Sequence, residues 1–534
     1  MSPSRGLAAS AVWMLSVLCA TAAVADSYDN ARRSIDLAPD PIERSPRLQG
    51  MGRLTLADDP HNRITLWDFA ADPVGILDAD SVSTFHLWPN TSSRSATHEI
   101  DNGTRQRETL AAREIRLNYE AWKRTENSAY GFFGDVASLR LDHPYDDESE
   151  LRDMFAVPRI AGVLNGRIPY FQSHRWTYVL HARYAPETET DEYRKIVSNV
   201  SGEYLGRQGG ILPTPDIFTP DEVRTYASGG GASLSYRLPF ATAALGGDIA
   251  SLVIKAENDG QRYFSGTREH RPYYTGQLSA VGGLPNLQWG ATGRLWSSSS
   301  HERWNFTLAG AINQAPLAGR GKRLERDEDG NDGRVRIRWT MGPLELGSSY
   351  GFAFRRLTID PPGPDKQPSF NYFLNTLPQR QGADSLALPD SVVHDRIEEK
   401  GLDGALGGTL RLPRQRGLVG AEFHWTRDRV DQSTAGRAPD RRIWDLRGGA
   451  EYRCTPVLSG RVGYIYRSED RDKETLQNEF VSHTVTAGLG LEPRGSIWTM
   501  DAGYSIEWLT PDYPDPSESR ESRQTLSLLV GWRF

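Results

Sequence analysis

The sequence keeps a period of two over long stretches. Near its end, Trp498, Met500, Ala502, Tyr504, Ile506 and Trp508 take alternate positions, with Thr499, Asp501, Gly503, Ser505 and Glu507 between them. Successive side chains of a β-strand point to opposite faces, so this spacing predicts a strand with one apolar and one polar face. The pattern recurs at Ile115, Leu117, Tyr119 and Ala121, and at Trp304, Phe306, Leu308 and Ile312. Two further runs are Val335, Ile337, Trp339 and Met341, then Val419, Ala421, Phe423 and Trp425. A soluble barrel turns its apolar face inward, whereas a barrel in lipid turns it outward and lines its lumen with the polar face. Trp498 and Trp508 favour lipid. Ten residues rise roughly 33 Å along a strand. A tilt of about 40° brings that to roughly 25 Å, the height of the apolar band between two aromatic girdles.

Composition narrows the choice. The 534 residues suffice for several soluble domains or one large barrel. A mean hydropathy of -0.55 excludes a bundle of membrane helices. The chain has 14 Trp, 21 Tyr and 51 Gly, which suits many short strands and not disorder. A net charge of -7 argues against a nucleic-acid partner. Residues 1–25 read as a signal peptide: Arg5 at a positive start, an apolar stretch from Leu7 to Ala20, and Ala23-Val24-Ala25 as a small-x-small cleavage site. A mature chain from Asp26 would keep Cys454 as its one cysteine and have no internal disulfide.

The terminal run Leu526, Leu528, Val530, Trp532 and Phe534 alternates with Thr525, Ser527, Gly531 and Arg533, and Leu529 breaks the polar face. It resembles the last strand of bacterial outer-membrane barrels, which implies that Trp532 and Phe534 form a signal read by a barrel-assembly machinery. Connection lengths alternate as well. Gly342-Pro343, 413–417, 454–456 and 492–496 are short, and 357–400, 428–440, 468–479 and 509–522 are long, as periplasmic turns and extracellular loops would be. The alternation fails near Ser297 to Glu302, where a strand is missed or invented. The stretches 142–173 and 186–223 read as large loops. The expected strand number is 14 to 18.

Residues 26–110 show few clean alternations and read as a plug, a periplasmic extension or a leader ahead of a barrel spanning 111–534. Within this segment, Met51-Gly52-Arg53-Leu54-Thr55-Leu56-Ala57-Asp58-Asp59 and Asp72-Pro73-Val74-Gly75-Ile76-Leu77 resemble the N-terminal region of the outer-membrane long-chain fatty-acid transporter (FadL-like) family. Asp72, Val74 and Ile76 stand where that family has Asn, Ala and Leu. A second stretch runs through Leu446–Tyr452, Gly460–Tyr466, His483, Gly488–Leu491 and Asp501–Tyr504, and is similar to the family's C-terminal strands. The resemblance implies an N-terminal plug and passage of hydrophobic small molecules. It makes Met51, Gly52, Asp59, Asp72, Pro73 and Gly75 the candidate plug residues.

Three other features invite chemistry. Asp327 to Gly333 imitates a Ca²⁺ loop, but Asp332 stands where such a loop wants Gly, and Arg338 where it wants the bidentate Glu, so a solvated loop is expected. Arg334, Arg336 and Arg338 make a basic ladder that either attracts anions or is neutralised by neighbouring strands. Glu422, His424 and Asp428 sit near one strand end without assembling a recognisable catalytic set.

The expectation is an all-β, closed antiparallel transmembrane β-barrel with an N-terminal plug-like segment, in the bacterial outer membrane. It would touch lipid, lipopolysaccharide and small solutes, and need no cofactor or metal. The function expected is passive passage of small, hydrophobic solutes and not enzymatic catalysis. A general porin for hydrophilic solutes and a structural barrel housing a partner protein remain open alternatives.

Overall fold

The computed structural model describes residues 45–56, 83–101, 105–125, 128–142, 157–167, 176–190, 222–257, 262–308, 317–360, 395–432, 436–437, 441–473, 476–493, 495–512 and 520–533. They form a short helix, α1 (Pro46–Gly50), and strands of one antiparallel sheet. In chain order these are β1 (Ser83–Asp101), β2 (Arg105–Arg124), β3 (Ser128–Asp142), β4 (Val157–Arg167), β5 (Trp176–Thr190), β6 (Glu222–Arg237), β7 (Ala241–Glu257), β8 (Arg262–Leu284) and β9 (Leu287–Leu308). They continue as β10 (Leu317–Met341), β11 (Leu344–Asp360), β12 (Asp395–Arg411), β13 (Gly417–Gln432), the two-residue β14 (Gly436–Arg437), β15 (Arg441–Arg453), β16 (Leu458–Lys473), β17 (Leu476–Leu491), β18 (Trp498–Asp512) and β19 (Arg520–Arg533). β13 pairs directly with β15, leaving 18 long strands, the upper end of the expected range.

Each long strand pairs with both sequence neighbours, and β1 pairs with β2 on one side and β19 on the other. Short turns at 238–240, Pro285-Asn286, Gly342-Pro343, 412–416, 454–457 and 492–497 lie along one rim. β1 starts and β19 ends at that same rim. Gly342 takes φ +59, the left-handed turn conformation that glycine adopts without strain.

The strands face as the alternation requires. On β18, Trp498, Tyr504 and Trp508 are exposed on the outer side, whereas Asp501 and Ser505 are buried on the inner one. On β13, Val419 and Phe423 are exposed and Glu422 is 1% accessible. The outer wall is therefore apolar and the inner wall polar, the inverse of a soluble barrel. Trp289, Trp339, Tyr452, Trp498 and Trp532 mark the outer wall near the short-turn rim. Tyr350, Trp425, Trp444, Tyr466 and Trp508 mark a second level, joined by ring contacts of 6.1 Å (Tyr350–Trp425) and 5.0 Å (Trp444–Tyr466). No helix among the described residues is long and apolar enough to cross a membrane.

Several expectations need correction. The strands begin at Ser83, so the boundary between N-terminal segment and sheet falls before residue 83 and not at 110. β4 lies inside the stretch read as a loop from 142 to 173. No turn occurs at 297–302: β9 runs straight through it. The Asp-rich stretch 327–333 lies within β10 and is not a loop. Strand alternation sends Glu328 and Asp332 inward and Asp327 outward, so these carboxylates cannot converge on one cation. Leu529, the break in the terminal alternation, points inward and is 6% accessible.

Candidate functional site: the N-terminal segment on the inner wall

Ser45 to Leu56 lies against the inner wall just inside the short-turn rim. Ser45 caps α1: its backbone is extended, and its hydroxyl accepts a 3.2 Å hydrogen bond from the Leu48 N–H. Pro46 occupies the first helical position, where the missing N–H costs nothing. One turn later Gly52 (φ +71) and Arg53 (φ 55) reverse the chain. A five-residue helix does not hold alone in water, so tertiary contacts must fix it. Every residue from Ser45 to Gly52 is buried, and Met51 and Leu54 are wholly inaccessible. Leu48, Met51 and Leu54 pack with Leu418 of β13.

A chain of charges ties α1 to the wall. Arg47 donates twice to Glu451 on β15, at 2.7 and 3.0 Å, in the two-pronged geometry that makes guanidinium–carboxylate pairs strong. Arg461 on β16 donates to the same carboxylate at 2.7 Å and meets Asp501 on β18 at 2.5 Å. It reaches Asp501 across β17 because Gly490 stands between them: a Cβ there would collide with the Arg461 guanidinium. A cavity of about 60 Å³ beside these charges is lined by Arg453, Ser459 and Thr499. That is far below the volume a drug-sized solute needs.

Uncharged contacts fix the rest. Thr486 on β17 donates to the Gly50 carbonyl (3.0 Å) and accepts from the Gly52 N–H (2.9 Å). Ser527 donates to the Gln49 side-chain carbonyl, and Arg447 to the Arg53 carbonyl at 2.9 Å. Glu422 accepts from the Thr55 N–H at 2.8 Å and the Leu56 N–H at 2.7 Å, while His424 Nε2 lies 2.8 Å away. Buried backbone groups need such partners, and the inner wall supplies them.

The wall makes room by lacking side chains. Gly420, Gly449 and Gly463 are directly paired across β13, β15 and β16, and Gly488 with Gly503 across β17 and β18. A Cβ on Gly449 would meet the Met51 backbone, one on Gly463 the Gly52 backbone, and one on Gly503 the Pro46 carbonyl. Gly488 would meet the Gly50 Cα at 3.1 Å, and Gly420 the Leu54 side chain at 2.9 Å.

Met51 and Gly52 thus stand at the centre of the site. Asp59, Asp72, Pro73, Gly75 and Phe534 lie outside the described residues, as do Ile64, Leu66 and Trp67. Trp532 packs its ring 5.5 Å from Phe85 at the β1–β19 seam. Glu422 accepts from the segment's backbone, and His424 Nε2 lies beside that carboxylate and 3.5 Å from the Thr55 hydroxyl. Two rungs of the basic ladder are neutralised by neighbouring strands: Arg334 pairs with Asp403 at 2.9 Å, and Arg338 with Glu345 at 2.7 Å. Sequence reasoning missed the anchoring by Glu451, Thr486 and Glu422. The signal was present, since the two stretches that carry the family resemblance meet here: Met51 and Gly52 from the first, Gly449, Glu451, Gly463, Gly488, Asp501 and Gly503 from the second. Among the described residues no group of three His, Cys, Asp or Glu could hold a metal ion.

No family model and no curated protein matches the chain. Solved structures do. A FadL homologue of Pseudomonas aeruginosa is 12% identical over 92% of this chain and 98% of its own, with a TM-score of 0.40. The toluene transporter TodX of P. putida is 12% identical over 93% and 99%, with a TM-score of 0.36. OmpT, an outer membrane protein of Vibrio cholerae, is 10% identical over 85% and 100%, with a TM-score of 0.29.

Proposed function

We propose that the chain is an outer-membrane channel for small solutes, its sheet closing as a transmembrane barrel and Ser45 to Leu56 obstructing the lumen near the periplasmic rim. The observation that carries this reading is a segment distant in sequence, buried against a polar inner wall and bonded to β13, β15, β17, β18 and β19. The apolar outer wall between two aromatic levels supports membrane embedding. Terminal Trp532 and Phe534 would be read by the assembly machinery.

The solutes are small and hydrophobic, following the FadL-like resemblance. They move down their own gradient, and the chain's residues bind and exclude without a cofactor and without a covalent step. One observation favours the alternative of a general porin for hydrophilic solutes. The inner wall carries further ion pairs, Arg294 with Asp332 at 2.7 Å and Arg355 with Glu328 at 2.8 Å.

Deleting residues 26–56 behind an intact leader separates these readings. In planar bilayers the truncated protein should conduct more than the full chain. In liposomes the full chain should pass a monoaromatic hydrocarbon or a fatty acid and hold back sugars. Equal conductance of the two forms would remove the plug. Free passage of sugars through the full chain would hand the function to the porin reading.

A further inference from the structure

Histidines on the two walls have different neighbours. His86, His181 and His424 lie on the inner wall, each beside a carboxylate: Glu120 at 2.7 Å, Asp248 at 2.6 Å and Glu422 at 2.8 Å. His483 on β17 keeps the outward parity of Val485 and Leu489 and is exposed with them. Ionisable side chains at membrane depth ordinarily face the protein interior, so one that faces lipid calls for a partner there. Register sets His483 opposite Tyr466 on β16 and Trp508 on β18, within the upper aromatic level. The Tyr466 ring meets it edge-on at 5.4 Å. Interfacial aromatics mark the depth at which the polar parts of lipids begin.

Tyr464 is also exposed, one outward step nearer the short-turn rim, and its hydroxyl lies 2.7 Å from His483 Nδ1. A neutral imidazole has one donor nitrogen and one acceptor nitrogen. The imidazole nitrogen is more basic than a phenol oxygen and is the better acceptor, so the phenol donates and the ring hydrogen sits on Nε2. Among the described residues no group accepts from Nε2. A donor left unpaired in apolar surroundings is costly. Towards the short-turn rim the wall continues through Val485, Val462 and Leu489, all exposed.

We propose that the His483 Nε2–H binds the acyl-ester carbonyl of an outer-leaflet lipid, whose chain runs down the wall over Val485, Val462 and Leu489. An ester carbonyl suits this donor: it accepts, carries no charge, and lies just beneath the headgroups. Tyr464 is the positioning residue, because its hydrogen bond to Nδ1 holds the proton on Nε2. The site rests on the reading of a membrane-embedded barrel.

The test uses the full chain in vesicles with equal amounts of diacyl phosphatidylcholine and its dialkyl ether analogue, which has the same headgroup and no carbonyl. Retained lipid is measured by native mass spectrometry. The wild type should retain the ester over the ether roughly fivefold, the equivalent of one hydrogen bond of about 1 kcal/mol. His483→Phe should retain both alike. Tyr452→Phe, on the outer wall at the opposite rim, should keep the wild-type preference. Nitrogen-15 spectra of histidine-labelled protein should show His483 with its hydrogen on Nε2, and Tyr464→Phe should mix in the Nδ1–H form. Adding lipid A to the ester vesicles separates the two sources: the lipid whose retention falls in His483→Phe is the one bound. Equal retention of ester and ether by the wild type, a preference that survives His483→Phe, or an Nδ1–H ring in the wild type would each overturn the site. Normal insertion without ester preference would sink this proposal and leave the channel standing, whereas failure of the wild type to insert would sink both.

Discussion

Glu451 joins the N-terminal segment to the inner-wall network, because Arg47 and Arg461 share its carboxylate. Replacing it with Ala would leave two nearly buried guanidiniums facing each other. Breaking a buried pair in this way costs about 3 kcal/mol or more. Arg47→Ala is milder, since Arg461 still neutralises Glu451. Limited trypsin digestion of the folded protein should therefore cut after Arg53 fastest in Glu451→Ala, more slowly in Arg47→Ala and slowest in the wild type. The reverse order for the two variants would make Arg47 the anchor. A second contrast uses neighbouring glycines. Gly449→Leu would drive a side chain into the Met51 backbone, while an added Cβ on Gly448 meets nothing within 4 Å. Gly449→Leu should free the segment and raise conductance to that of the truncated form, with Gly448→Leu unchanged. If both variants conduct like wild type, the close approach at Gly449 is wrong. At this scale the sequence marked Met51 and Gly52 but not their acceptors. Glu422 is 366 residues from Leu56, and an inward carboxylate on an alternating strand announces a polar face without naming its partner.

At the scale of elements, legibility followed the surroundings of each strand. β18 and β13 each have one apolar and one polar face, and both were readable from alternation alone. β9 runs Ser297 to Ser300 beyond the level of the aromatics, where neither face demands apolar residues, and so it imitated a turn. β1 contains Pro89 followed by Asn90, Thr91, Ser92 and Ser93, and hides for the same reason. β4 is short and interrupted by Gly162 and Asn165. α1 was invisible as a helix, being one turn fixed by its Ser45 cap and by the wall. The cap is testable: Ser45→Ala should loosen the segment by about 1 kcal/mol, read as faster tryptic cutting after Arg53 with an unchanged urea midpoint for the sheet. A fall in that midpoint would instead tie the cap to the stability of the whole sheet.

For the whole molecule, the seam between β1 and β19 leaves none of the long strands with a free edge. A sheet without edges unfolds slowly, so unboiled protein should migrate anomalously on a detergent gel and shift on heating. Recovery from the periplasm as a soluble species with no such shift would contradict the membrane reading. The placement of the N-terminal segment also sets an order of events. Its hydrogen-bond partners lie on β13, β15, β17, β18 and β19, so the first part of the described chain docks on the last strands made, over separations of up to 478 residues. Contacts that distant form late. The segment therefore has no seat during most of synthesis and export, and under the proposed function the obstruction would come only as the final strands arrive. An assembly stalled short of β15 would have neither the segment's seat nor the β1–β19 seam, which gives the cell a reason to destroy incomplete copies quickly.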